Sequence, residues 1–235
     1  MAVAALGLLV VACDGGEGGD DRAGLTPIER MLREDSIYRA TTGDSTLRHV
    51  EFDYENLNRK TWQKPELLLD MLGQLDGRTV VEVGSGTGFF TRRLAQRRAR
   101  VIALDVDPGM LVLLDSLNAA QLDTAAYARV DPRLVPPDDP SLGAGEGDAA
   151  LVVNTFMYIP ERADYLVRLA AGLAPGSPVL IVDFKKKATP VGPPVEARLD
   201  MAEVEAAMRA AGYIAVTTDE LTLDYQYVVS GRTPG

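Results

Sequence analysis

The chain has 235 residues, 46% hydrophobic and 25% charged, the balance of a globular protein with room for one well-cored domain and an extension. Its formal charge of −10 argues against a nucleic-acid partner, because proteins that bind a phosphate backbone usually carry a basic face. With one cysteine (Cys13) and one histidine (His49), an internal disulfide, a cysteine-cluster zinc site and a histidine-rich metal site are excluded, and no metal is expected.

Residues 2–12 are an unbroken small and apolar run, and residues 14–24 are polar and glycine-rich. The run is too short to span a bilayer as a helix, which needs about 20 residues. It has the length of the apolar core of a secretory signal. Val10-Val11-Ala12-Cys13 resembles the lipobox of bacterial lipoproteins, in which the cysteine receives lipid and becomes the mature N-terminus. That resemblance implies a membrane-anchored lipoprotein on the extracytoplasmic face. Residues 1–24 would then be leader and tether, and lipid on Cys13 the sole membrane contact. No Lys or Arg precedes the run, which leaves a cytoplasmic protein as the alternative.

From 26 to about 72 the pattern is helical and polar, with Thr26 suited to a cap and Pro27 to a first turn, so 25–75 is expected to be a helical cap. Pro65 opens an apolar-rich helix that Gly73 can end. The chain then alternates: strand 79–83, helix 89–98, strand 100–104, helix 108–117, a shorter strand 125–130 and a stronger one 149–153. Helix 163–173, strand 178–184, helix 201–211 and closing strands 214–218 and 222–229 complete it. Short apolar strands separated by helices call for a parallel sheet covered on both faces. Only residues 219–221 separate the last two strands, too few for a parallel crossover, so the last strand should run antiparallel. The proline-, glycine- and aspartate-rich stretch 132–147 reads as a loop beside the site. His49 lies ahead of this alternating region, which sets aside a Ser-His-Asp hydrolase.

Between the first strand and its helix stands Glu82-Val83-Gly84-Ser85-Gly86-Thr87-Gly88. Glycines there permit a tight turn and let a ligand touch bare main chain at a helix start. A dinucleotide fingerprint would place its third glycine at position 89, which is Phe89. The pattern instead resembles motif I of class I S-adenosylmethionine-dependent methyltransferases. The resemblance covers most of residues 62–230 and implies a Rossmann-like, doubly wound, seven-stranded α/β/α domain over 76–231. It implies S-adenosylmethionine as cofactor, with Glu82 toward the donor's methionine end. Gly84, Ser85, Gly86, Thr87 and Gly88 would form the cradle.

Asp105, 23 positions past Glu82, ends the second strand, where a carboxylate can accept from both ribose hydroxyls, with Val106 beside it. Asp107, before Pro108, reads as a helix cap. In the family a loop acid often accepts from the adenine amino group; Asp131, Asp138 and Asp139 qualify, each also readable as a turn cap. Asn154 ends the fourth strand, where ligands gather in such sheets, and is a candidate for both cofactor contact and catalysis. Tyr158 and Tyr54 are candidates to take a proton from the acceptor, with a pocket wall as the alternative for Tyr158. Trp62-Gln63-Lys64-Pro65 resembles a stretch ahead of the glycine turn in some bacterial members, either covering the donor or simply packing. Lys185-Lys186-Lys187 reads as a solvated strand end or a substrate-facing patch.

The expected activity is methyl transfer to a small-molecule acceptor by in-line displacement. The segment 154–159 has no histidine where related bacterial sequences often carry one, which leaves a tethered nucleoside-binding module without turnover as the alternative.

Overall fold

The computed structural model describes residues 59–235. The leader with Cys13, together with Thr26, His49 and Tyr54, lies outside the described residues. Two short helices come first, α1 (Arg59–Gln63) and α2 (Pro65–Met71). Pro65 starts α2 because its fixed backbone suits a first turn, and Gly73 turns the chain out of it at φ 86°.

The alternating region follows as β1 (Thr79–Val83), α3 (Phe89–Gln96), β2 (Arg100–Asp105), α4 (Pro108–Gln121), α5 (Thr124–Tyr127), β3 (Val130–Leu134) and β4 (Ala149–Val153). It continues with α6 (Arg162–Ala171), β5 (Pro178–Phe184), α7 (Met201–Ala210), β6 (Ile214–Asp219) and β7 (Gln226–Arg232). The seven strands form one sheet in the order β3-β2-β1-β4-β5-β7-β6. Strands β1 to β5 pair in parallel, whereas β7 runs antiparallel to both β5 and β6. This is the expected Rossmann-like, three-layer fold.

Two apolar clusters cover the two faces. Val81, Val83 and Val152 meet Leu166 and Leu169 of α6 and Val204 and Met208 of α7. Their neighbours Val80, Leu151 and Val153 meet Phe90 and Leu94 of α3, Leu114 of α4 and Leu68 and Leu69 of α2. Strand alternation divides the residues this way: successive side chains point to opposite faces, so a strand covered by helices on both sides must be apolar throughout.

Three boundaries differ from the sequence expectation by four residues or more. Residues 125–130 are not a strand: Asp123 accepts from the Ala126 amide at 2.7 Å and caps the single turn α5, and the strand begins at Val130. Val-Asp-Pro-Arg-Leu gave no alternating signal because β3 is an edge strand, largely exposed, where Pro132 is tolerated. The last strand starts at Gln226 rather than 222, because Asp219 binds the amides of Leu221 and Thr222 and curls that segment into a turn. Helix α4 runs on to Gln121, four residues past the expected end.

Leu166 is fully buried between α6 and the sheet. Leu166→Ala should therefore destabilise the protein by about 2–5 kcal/mol, read as a lower urea midpoint at unchanged slope.

Candidate functional site

Strand order reverses between β1 and β4, so the loops leaving their carboxyl ends diverge to opposite faces and open a crevice. The cavity there measures about 280 Å³, close to the low end of small-molecule sites, roughly 300–1,000 Å³. Gly84, Gly86 and Asp105 line one side, Asn154, Thr155 and Tyr158 the other, and Val106, Met110, Val135 and Pro136 supply apolar walls.

The glycine turn is joined to the end of β2. The amides of Gly84 and Ser85 both donate to the Leu104 carbonyl at 2.9 Å, and the Gly86 amide donates to Asp105 Oδ2 at 2.7 Å. The second Asp105 oxygen accepts from the Asp107 amide at 3.0 Å, while Asp107 caps α4 through the Gly109 amide at 2.7 Å, as expected of it. Gly84 has φ 73°, and a Cβ there would collide with Thr155 Oγ1. The turn after β4 therefore crosses directly over a backbone that carries no side chain.

Glu82 and Asp105 face the same side of the sheet. Glu82 sits beside Ala103 in register, and Asp105 follows Ala103 by two residues. Glu82 does not line the crevice; it is buried beneath the turn, where Thr91 Oγ1 donates to it at 2.5 Å. Burial is the largest influence on its carboxyl and raises it to about 8, against the Thr91 hydrogen bond and the charges of Arg59 and Arg92; the Asp105 charge adds to the rise. Ser85 and Thr87 are likewise buried in the turn, and Gly88 stands at the start of α3 at φ 85°.

Asn154 adopts the left-handed backbone at φ 57°, which asparagine tolerates better than most residues, and its amide donates to the Val182 carbonyl at 2.8 Å. Its Oδ1 accepts from Gln226 of β7 at 2.5 Å. Tyr158, on the 3₁₀ turn Phe156–Tyr158, is 67% exposed at the rim. Behind this turn the carboxyl of Asp183 is fully buried, without a hydrogen-bond partner of standard geometry among the described residues, although the Met157 amide approaches it. Burial raises that carboxyl to about 8.

The loop acids are not brought to the crevice. Asp131 pairs with Arg133 at 2.6 Å on the exposed edge strand. The Asp138 carbonyl accepts from Arg168 of α6, and Asp139 caps a turn through the Ser141 amide at 2.6 Å. From this loop Val135, Pro136 and Pro137 reach the cavity instead. Trp62 packs against Phe184 and Tyr225 at centroid distances of 5.7 and 6.0 Å and does not line the crevice. Lys185 is tied to the Leu223 carbonyl and Lys186 to Glu203, so two of the three lysines are held by their own chain. Sequence reasoning missed Arg59, Thr91, Thr155 and Gln226, which look like ordinary helix, loop and strand residues until the fold closes.

Two outcomes follow from this geometry. Gly84→Ala should cost at least about 1–3 kcal/mol from its backbone conformation alone and displace Thr155, read as a lowered Tm. Glu82 titrates near 4.5 ordinarily and near 8 when folded, so between those values the folded state holds a proton that the unfolded chain has lost. Stability falls with rising pH across that window. Glu82→Gln removes this loss, and its stability relative to the parent should grow from about pH 5 to about pH 8 in urea titrations.

Residues 81–179 match the methyltransferase domain family. An uncharacterised methyltransferase of Mycobacterium tuberculosis is 35% identical over 113 residues, 48% of this chain and 42% of that protein. The chain spans less than half the length of the curated relatives it matches. Among solved structures, a SAM-dependent methyltransferase from Aquifex aeolicus superposes with a TM-score of 0.71 at 23% identity, covering 78% of this chain and 96% of that one. Phosphoethanolamine N-methyltransferase 2 of Haemonchus contortus, in complex with S-adenosyl-L-methionine, superposes with a TM-score of 0.62 at 13% identity, covering 74% and 53%. Fold, glycine turn and domain match point the same way: residues 81–179 match the methyltransferase domain family, and the seven-stranded sheet has the fold of the SAM-dependent methyltransferase structures it resembles.

Proposed function

We propose that this protein transfers the methyl group of S-adenosylmethionine to a small-molecule acceptor. One observation carries the reading: the bare main chain of Gly84 and Gly86 and the Asp105 carboxylate face Asn154 and Tyr158 across a single crevice. The residues present fit the donor. Asp105 has an amide on each oxygen and lone pairs left for two hydroxyls, and Val106, Met110, Val135 and Pro136 suit a flat base. A cation placed above the turn would favour the ionised form of Glu82 beneath it.

The bound donor supplies an activated methyl group on a positively charged sulfur. The chain's own part is to hold nucleophile, methyl carbon and sulfur in line and exclude water, an alignment that accounts for roughly 7–11 kcal/mol of barrier in favourable cases. A base is required only where the nucleophile keeps its proton, and Tyr158 stands at the rim to take it or to wall the acceptor. The formal charge of −10 favours a small acceptor over a polyphosphate backbone.

The run 2–12 ending in Val10-Val11-Ala12-Cys13 supports an anchored location, with lipid on Cys13. Intact mass of the protein from a native membrane fraction tests this: a chain beginning at Cys13 with added lipid is expected, and an unmodified chain retaining residues 1–12 refutes it.

Calorimetry with S-adenosylhomocysteine and NAD(H) side by side tests the main reading; binding of the nicotinamide alone would overturn it. Asp105→Ala should weaken S-adenosylhomocysteine about ten- to a hundredfold, the worth of hydrogen bonds to a charged group. Near pH 7 donor binding should release protons, because a cation above the turn favours ionised Glu82. Titrations in buffers of different ionisation enthalpy should show that release, and Glu82→Gln should lose it.

A further inference from the structure

Asn154 reaches the crevice at the end of a line of buried polar side chains that begins on α1. Arg59 Nε donates to Gln63 Oε1 at 2.5 Å, Gln63 Nε2 donates to Gln226 Oε1 at 3.1 Å, and Gln226 Nε2 donates to Asn154 Oδ1 at 2.5 Å. Gln63 and Gln226 are fully buried and Arg59 nearly so, so water is poorly placed to replace a lost partner. Three distant elements, α1, β7 and the end of β4, meet in this line.

Its direction is not free. A guanidinium has five N–H donors and no acceptor. Gln63 must turn its oxygen to Arg59, which leaves its NH₂ for Gln226. Gln226 must then give its oxygen to Gln63 and its NH₂ to Asn154, whose oxygen is thereby turned toward β7. Reversing any one amide would set donor against donor in a buried place, where an unsatisfied polar group is costly. The Asn154 backbone is held as well, through the Val182 carbonyl. With Oδ1 turned to Gln226, the other end of the planar amide, Nδ2, is left to face the crevice that Asn154 lines, and Nδ2 donates and cannot accept.

We propose that Asn154 is a donor-only contact of the crevice, its polarity imposed from Arg59 through Gln63 and Gln226, and that it selects a lone-pair oxygen such as a carboxylate over an N–H group. The identity of that oxygen rests on the methyltransferase reading: it belongs to the methionine carboxylate of the donor or to the methyl acceptor. Gln63 and Gln226 are positioning residues. Arg59 stacks on the Phe89 ring at 4.1 Å, and its charge also reaches Glu82, so one guanidinium heads the polar line and lies near the buried acid beneath the turn.

Side-chain amide exchange of the ¹⁵N-labelled full chain, without ligand, tests the polarity. The NH₂ groups of Gln63 and Gln226 should be protected and that of Asn154 should exchange with solvent. Gln226→Glu keeps the shape and, above the pH at which this buried carboxyl ionises, offers only acceptors, so there it should rotate Asn154 and protect its NH₂, which a merely space-filling role would not do. Protected Asn154 protons in the unmodified chain, together with exchanging Gln226 protons, would overturn the proposal; this holds even if the variant fails to fold.

Calorimetry then assigns the oxygen. A ten- to a hundredfold loss of S-adenosylhomocysteine affinity in Gln226→Glu, absent with the decarboxylated analogue, places it on the donor. An unchanged affinity with the inverted exchange pattern places it on the acceptor. Absence of S-adenosylhomocysteine binding in the unmodified chain would defeat the methyltransferase reading and leave the exchange test standing.

Discussion

Three successive amides of the glycine turn, those of Gly84, Ser85 and Gly86, are bound by the last two residues of β2. Two go to the Leu104 carbonyl and one to the Asp105 carboxylate, so the turn cannot move without the second strand. This join fixes the glycine turn and Asp105 as one wall of the crevice. It also sets what each residue must be: a side chain at position 84 would strike Thr155, and a neutral residue at 105 would lose its charged grip on the turn. The parallel pairing of β1 with β2 is what brings these groups into register.

The electrostatics of the site are those of buried acids in a strongly acidic protein. Glu82 and Asp183 are both taken out of water at the carboxyl end of the sheet, and burial raises both toward the neutral form. Their surroundings differ. Glu82 has Thr91 as donor and two arginines as counter-charges, whereas Asp183 has Arg162 nearby and the Met157 amide. Glu82 thus lies where a cationic ligand would shift its titration, while Asp183 stands behind the 3₁₀ turn that carries Tyr158.

The polar line from Arg59 to Asn154 joins the segment before the sheet to the crevice. Helix α1 is too short to be stable by itself. It is held because Trp62 packs on Phe184, Arg59 lies over Phe89 and Gln63 bonds to Gln226. The orientation of an amide at the end of β4 therefore depends on a helix that sequence order places well ahead of it.

Much of the scaffold was legible in the residues alone. Apolar runs such as Val80-Val81 and Leu151-Val152-Val153 mark strands covered on both faces, and the three glycines after Val83 mark the turn, because these are local requirements of backbone and burial. The edge strand and the start of the last strand were not, since Pro132 and the exposed pattern of β3 carry no periodic signal and Asp219 captures amides through a side chain. The partners of the site residues belonged to tertiary structure alone. Gln63 and Gln226 are 163 positions apart and Gln226 and Asn154 are 72 apart, and no spacing rule links two amides across such distances. Local chemistry along the chain determined the turn, the strands and the acids at their ends; only the folding of β7 between β5 and β6 decided which atom of Asn154 meets the crevice, because a hydrogen bond's direction is settled by its partners.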